Sequence, residues 1–239
     1  MRKYLNLLRI DYVAKRFEKF DNKGVKDSQK AKLISRDPSM FYADSAGAGK
    51  LLPQDGLLGV LKKTMGVVFP YSPTIQTSHT ANYGTHDITH SVYQPHYYTS
   101  TNNPMISMFA PFAAQTQDDA QYMAAALHFF KSCTKSDFGE ANRNIGGGLG
   151  TAGTPPPVLL FSAYGSLNYR NVPVVIKSVS YTFPEDVDFV TFKYTTDTIS
   201  IPTQMIINLE LGVQITPTRT RSFNIQKYRH GEQLGRGFV

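Results

Sequence analysis

From Thr203 to Ile215 apolar and polar side chains alternate: Met205, Ile207, Leu209, Leu211, Val213 and Ile215 take the odd positions, and Gln204, Asn208, Glu210 and Gln214 take even ones. A period of two puts one class on each face of a half-buried strand. At ~3.3 Å per residue such a strand spans roughly 40 Å, about twice the usual length. A strand that long predicts a large twisted sheet or an assembly rather than a small closed domain. Its odd face is expected to be core.

The remaining composition suits sheets and extended segments. Only 18% of the 239 residues are charged, and Thr, Ser, Asn and Gln supply much of the polarity. Surfaces of that kind can be buried against other subunits with little charge desolvation. The net charge of +7 permits nucleic-acid or acidic-protein partners without establishing either. Cys133 is the single cysteine, which excludes an intrachain disulfide and fits a reducing compartment. The basic, apolar start is broken by Arg9 and Asp11, so a signal peptide is not expected. No apolar run approaches the ~20 residues of a membrane span, and a soluble, cytoplasmically made chain is expected.

Read in order, the chain divides into three parts. Residues 1–66 form a basic N-terminal extension. Leu5, Leu8, Tyr12, Val13, Phe17 and Phe20 have helical spacing there, and an irregular loop covers 37–66. Residues 67–217 form a β domain, with two or three strands in Thr74–Tyr98 and another from Met105 to Phe109, which Pro111 should end. A helix is predicted over Gln117–Ser132, capped by Thr116. Asp118 and Asp119 lie in its first turn, and Tyr122, Met123, Ala126, Leu127 and Phe130 form its apolar stripe. Strands then follow at Val158–Ala163, Val172–Tyr181, Val187–Tyr194 and Thr203–Ile215, as an antiparallel meander. Residues 218–239 read as a basic C-terminal tail.

Several motifs look like chemistry and fail on context. Ala46–Leu51 lacks the first glycine and the hydroxyl residue of a phosphate loop. Gly148–Gly153 matches the dinucleotide fingerprint by letter, but Pro155–Pro157 follows where a helix would have to start. His79, His86, His90 and His96 lie in strand-like sequence, where four-residue spacing puts two side chains roughly 13 Å apart. Cys133 and His128 have poor helical geometry for an activated thiol, so a buried cysteine is expected. Glu185, Asp186 and Asp188 read as a solvated turn, and Ser162 and Ser166 lack a nucleophile-elbow context. No catalytic, cofactor or metal site is expected, and the chain is read as a non-enzyme.

The second half carries a resemblance. The Tyr-Met-Ala-Ala-Ala-Leu-His-Phe-Phe-Lys helix core is followed by Phe138-Gly139. Pro157-Val158-Leu159-Leu160-Phe161-Ser162-Ala163-Tyr164-Gly165 comes next, then Val172–Tyr181, and finally Ile201-Pro202-Thr203 leads into the long strand. This order resembles the tail-tube-like baseplate proteins of contractile-tailed, T4-like bacteriophages, of the tube initiator or tail tube cap type. It covers roughly 70–217. The resemblance implies a mainly β fold with one principal helix, a tail-tube-like β-sandwich or half-barrel that forms a homo-hexameric ring and carries N- and C-terminal extensions. It implies a structural virion protein that sits on the baseplate hub and starts assembly of the tail tube and, nearby, the sheath. DNA would be only passing cargo and no membrane would be involved. Gln204, Asn208, Glu210 and Gln214 would then line a shared channel. The alternatives are a polymerising tail tube subunit, a nucleic-acid-binding module built on the basic arms, and a hydrolase using the histidine-rich stretch.

Overall fold

The computed structural model describes residues 29–44, 51–53, 56–136, 153–165, 168–194 and 197–239. The predicted helix within 1–20, most of the two glycine-rich loops and Ser166 lie outside these residues. The described chain is mainly β. Its strands are β1 (Lys32–Ser35), β2 (Tyr42–Asp44), β3 (Leu51–Pro53), β4 (Gly66–Val68), β5 (Thr74–Ser78), β6 (Ala81–Thr85), β7 (His96–Thr101) and β8 (Met105–Ala113). Helix α1 (Gln117–Ser132) follows, then β9 (Leu159–Ala163), β10 (Tyr169–Thr182), β11 (Phe189–Tyr194), β12 (Asp197–Pro202) and β13 (Gln204–Val213). Two short helices, α2 (Pro217–Arg221) and α3 (Ile225–Arg229), end the order.

A seven-stranded sheet in the order β4-β1-β9-β10-β13-β8-β5 carries the fold. Every neighbouring pair in it is antiparallel. The strand predicted over Thr203–Ile215 is β13, shorter than expected at 10 residues, with Ile215 beyond it and only partly buried. It pairs along most of its length with both β8 and β10, and β10, at 14 residues, is longer. Met205, Ile207, Leu209, Leu211 and Val213 are buried, as the alternation requires. Ile106, Met108, Ala110 and Phe112 of β8 and Val172, Val174 and Ile176 of β10 complete this apolar face.

Helix α1 lies on that face with the predicted bounds. The Thr116 hydroxyl accepts from the Asp119 N–H, and the Asp119 carboxylate accepts from the Thr116 N–H, so two orphan donors of the first turn are satisfied. Its buried surface is wider than the predicted stripe: Ala120, Ala125 and Phe129 are buried as well, and Leu127 is only partly so. The segment before β4 is the reason. Expected to be irregular, it forms 3-10 turns over Pro38–Phe41 and Leu57–Lys63, around the β2–β3 ribbon, and buries Phe41 and Leu61. Phe41 stacks on Phe129 at 5.8 Å, while Phe130 stacks on Phe69 at 5.9 Å. The helix therefore has packing partners on two flanks.

Other strands depart from expectation for identifiable reasons. β1, inside the stretch read as an extension, joins β4 to β9 and buries Leu33. Gly66 makes the β1–β4 approach possible, because a Cβ there would run into the Leu33 carbonyl. β8 continues through Pro111 to Ala113. Its β5 neighbour stops at Phe109, so Pro111 sits where β8 pairs only with β13 and no second ladder needs its N–H. The meander is interrupted: β11 pairs with β12, a strand the sequence reading did not separate, and β10 pairs directly with β13. The β11–β12 ribbon turns Phe192 and Ile201 into the same core.

The C-terminal stretch, read as a tail, is folded. Asn224 caps α3 through its side chain, and the buried Gln233 amide donates to the Ser222 carbonyl and accepts from the Asn224 N–H. Phe223 packs against Tyr228 and Phe238, with ring centroids 5.4 and 5.3 Å apart. The Arg219 guanidinium lies over the Phe238 ring at 5.5 Å.

Candidate assembly surface

The face of the sheet opposite α1 is assembled by register. Gln76, Ser107, Glu210 and Ser178 fall in one row across β5, β8, β13 and β10. Thr74, Phe109, Asn208 and Ser180 form the next row, and Pro111, Ile206 and Thr182 a third. Three of the even-numbered residues predicted to line a channel lie here. Gln204 stands at the end opposite Ala113, and Asn208 and Glu210 lie near the centre. Gln214 is exposed just beyond β13, where its N–H donates to the Pro173 carbonyl at 2.9 Å.

The rows of this surface consist of hydroxyls, amides and one carboxylate, broken by Phe109, Ile206 and Pro111, with Lys177 as a cation beside them. Gly212 occupies the remaining even position of β13. The stem of Lys177, the extra residue at a bulge in β10, lies across it with Cε 2.9 Å from where a Cβ would be. A surface of this composition has few fixed cations with which to hold a polyanion.

The second feature continues the sheet edge. β5 and β8 run on into β6 and β7, so Thr74–Ala113 is one long hairpin whose inner half belongs to the sheet and whose outer half is a separate two-stranded ribbon. Asn82 holds the junction, donating to Ser100 Oγ at 3.1 Å and Asn102 Oδ1 at 2.9 Å. Beyond it Tyr83 meets Tyr98 edge-on at 5.9 Å, and the Tyr97 ring lies across Gly84. The outer half still leaves much apolar surface in water: Tyr83 is 62% exposed, Val92 88% and Tyr93 83%, with Ile88, Tyr97 and Tyr98 also more than half exposed. From Thr74 to Asn103 there is no Lys or Arg, and Asp87 is the only acid. That uncharged, tyrosine-bearing composition was the available signal for this surface. A linear reading does not reveal that the ribbon leaves the sheet.

The third feature is the sheet's ends. β4 and β5 are the terminal strands of the seven. The outer edge of β4 is closed by side chains, the Tyr122 hydroxyl on Val68 and the Thr64 hydroxyl on the Gly66 carbonyl, whereas β5 pairs with no second strand among the described residues.

The remaining chemical candidates are dispersed. His79, His86, His90 and His96 are all exposed on or beside the outer ribbon. No group of three or more His, Cys, Asp or Glu among the described residues could hold a metal ion. Cys133 is buried at the end of α1, and burial pushes its thiol up to about 12 despite a Ser132 contact. Burial likewise pushes the Tyr122 phenol far above its usual range; its hydroxyl donates to the Val68 carbonyl at 2.8 Å and accepts from the Val68 N–H at 2.9 Å. Ser162 Oγ donates to Asn171 Oδ1 and accepts from the Asn171 N–H, which satisfies a bulge between β9 and β10. Glu185, Asp186 and Asp188 are exposed in the turn between β10 and β11. Among the described residues these candidates are not brought together into one site.

No family model matches the chain, and no curated protein matches its sequence. Among the described residues no helix is long and apolar enough to cross a membrane.

Proposed function

We propose that this chain is a structural subunit that assembles side by side with its own copies into a ring, at the junction of the baseplate and tail tube of a contractile bacteriophage tail. The observation that carries the assembly reading is the long Thr74–Ala113 hairpin. Its outer half bears exposed tyrosines and has no large element packed on it, and isolated two-stranded ribbons are marginally stable in water. A ribbon of this kind gains stability by docking on a neighbour, as does the outer edge of β5. The order of helix, β9 phrase and long strand supports the phage tail-tube-like reading.

In this arrangement the Asn208–Glu210 face turns toward a common channel, and the α1 side turns outward. The ring sits on the baseplate hub and presents its other face to the first tail tube subunits. Its contribution is to supply a preformed ring and so remove the slow first step of tube nucleation; it performs no covalent chemistry. Substoichiometric purified protein, added to tube subunits, is expected to shorten the lag of tube growth. Tube formation by this chain alone would instead identify it as the polymerising subunit, and no effect on the lag would overturn the initiator reading.

A further inference from the structure

We infer that the folded C-terminal module Pro217–Val239 is a docking head for a second copy of this chain, and that it seats on the turn Phe183–Phe189 of that copy. The inference rests on the ring reading above and names the contact that would join neighbouring copies. The module is compact, held by Phe223, Tyr228, Phe238 and the buried Gln233 amide, so its outward side chains occupy a defined surface. The module's exposed charges are mostly basic. Arg221, Lys227, Arg229 and Arg236 are exposed, against Glu232 as the module's one acid. Ile225 and Leu234 are about half exposed on the same module.

Exposed cations beside aliphatic and aromatic area, with Phe223 at 40% exposure, complement an acidic surface that carries apolar side chains of its own. The chain carries such a surface. Between β10 and β11, Glu185, Asp186 and Asp188 are exposed, flanked by Phe183 at 40% and Phe189 at 66% exposure. Among the described residues neither set of charges forms an ion pair, and no hydrogen bond joins the two surfaces within one copy. A contact between two different patches of identical chains is heterologous, and heterologous contacts close into rings when the rotation allows.

The test is a charge exchange followed by sedimentation velocity at several salt concentrations. All four substitutions lie on exposed side chains, and circular dichroism confirms folding. Lys227→Glu with Arg229→Glu, and separately Glu185→Lys with Asp188→Lys, should each weaken self-association about ten-fold or more. Mixing the two variants should restore association, because each then offers the complement of the other. Unchanged self-association of either variant, or a mixture no stronger than its components, overturns the contact while leaving the ring reading intact. A wild-type chain that stays monomeric at all concentrations overturns both. Salt-sensitive binding of a short single-stranded DNA that is lost in the Lys227/Arg229 variant, with self-association unchanged, would assign the module to nucleic acid instead.

Discussion

At the scale of single residues, the buried ionisable groups Tyr122 and Cys133 serve packing. Tyr122 is the clearest case. Its hydroxyl satisfies both backbone groups of Val68 and so ties α1 to β4. Tyr122→Phe leaves a buried N–H and carbonyl short of a partner and should cost about 1–3 kcal/mol in urea unfolding. Cys133 and Tyr122 also give the stability a pH dependence. Both pKa values are raised by burial, so the folded state holds protons that the unfolded chain has released. Their contribution is fully present below the unfolded thiol value of 9.0 and is lost as pH rises toward about 12. The urea midpoint should therefore fall across that window, and fall less in Cys133→Ala. Gly66 works through space: Gly66→Ala forces a Cβ against the Leu33 carbonyl and should lower the thermal midpoint, with β1 and β4 losing amide protection first.

At the scale of elements, α1 and the outer hairpin make opposite demands on their surroundings. The helix start is self-contained, since its capping box lies within four consecutive residues. Thr116→Ala should cost about 1 kcal/mol, measurable by thermal unfolding, without affecting association. The outer hairpin contributes little to the monomer and is the element expected to need a partner. Tyr93→Ser with Tyr97→Ser should leave the thermal midpoint of dilute protein nearly unchanged and should abolish ring formation seen by electron microscopy. An unchanged yield of rings would remove the hairpin from the interface.

For the whole molecule, the decisive property is the contrast between the two faces of one sheet. The α1 side is closed by aromatic packing, and the other presents Gln76, Ser107, Ser178, Asn208 and Glu210. If that second face lines a channel, its weak hold on polyanions matters. Replacing Asn208 and Glu210 by Arg should leave folding and ring formation intact and create salt-sensitive DNA retention by assembled rings. Failure to retain DNA, with rings formed, would place the face elsewhere.

Local periodicity was enough to read β13, α1 and its cap, and the burial of Cys133, because each depends on neighbours a few residues away: alternation over a strand, a stripe over a helix, a hydroxyl before the first turn. The polar side of β13 was legible for the same reason, as alternation assigns a face whatever the partner strands are. Tertiary structure decided the rest. β1 and the turns around Phe41 and Leu61 are short and lack a period of their own; β1 holds its place by pairing with β4 and β9, and the turns hold theirs by covering a flank of α1 that the sequence cannot show to be uncovered. Pro111 stays in its strand only because β5 ends before reaching it. The C-terminal stretch, by composition a basic tail, folds because Phe223, Tyr228 and Phe238 meet over a buried glutamine. Long-range contacts of this kind set which strands become edges and which tyrosines stay in water, and on those depend the surfaces through which this protein is proposed to act.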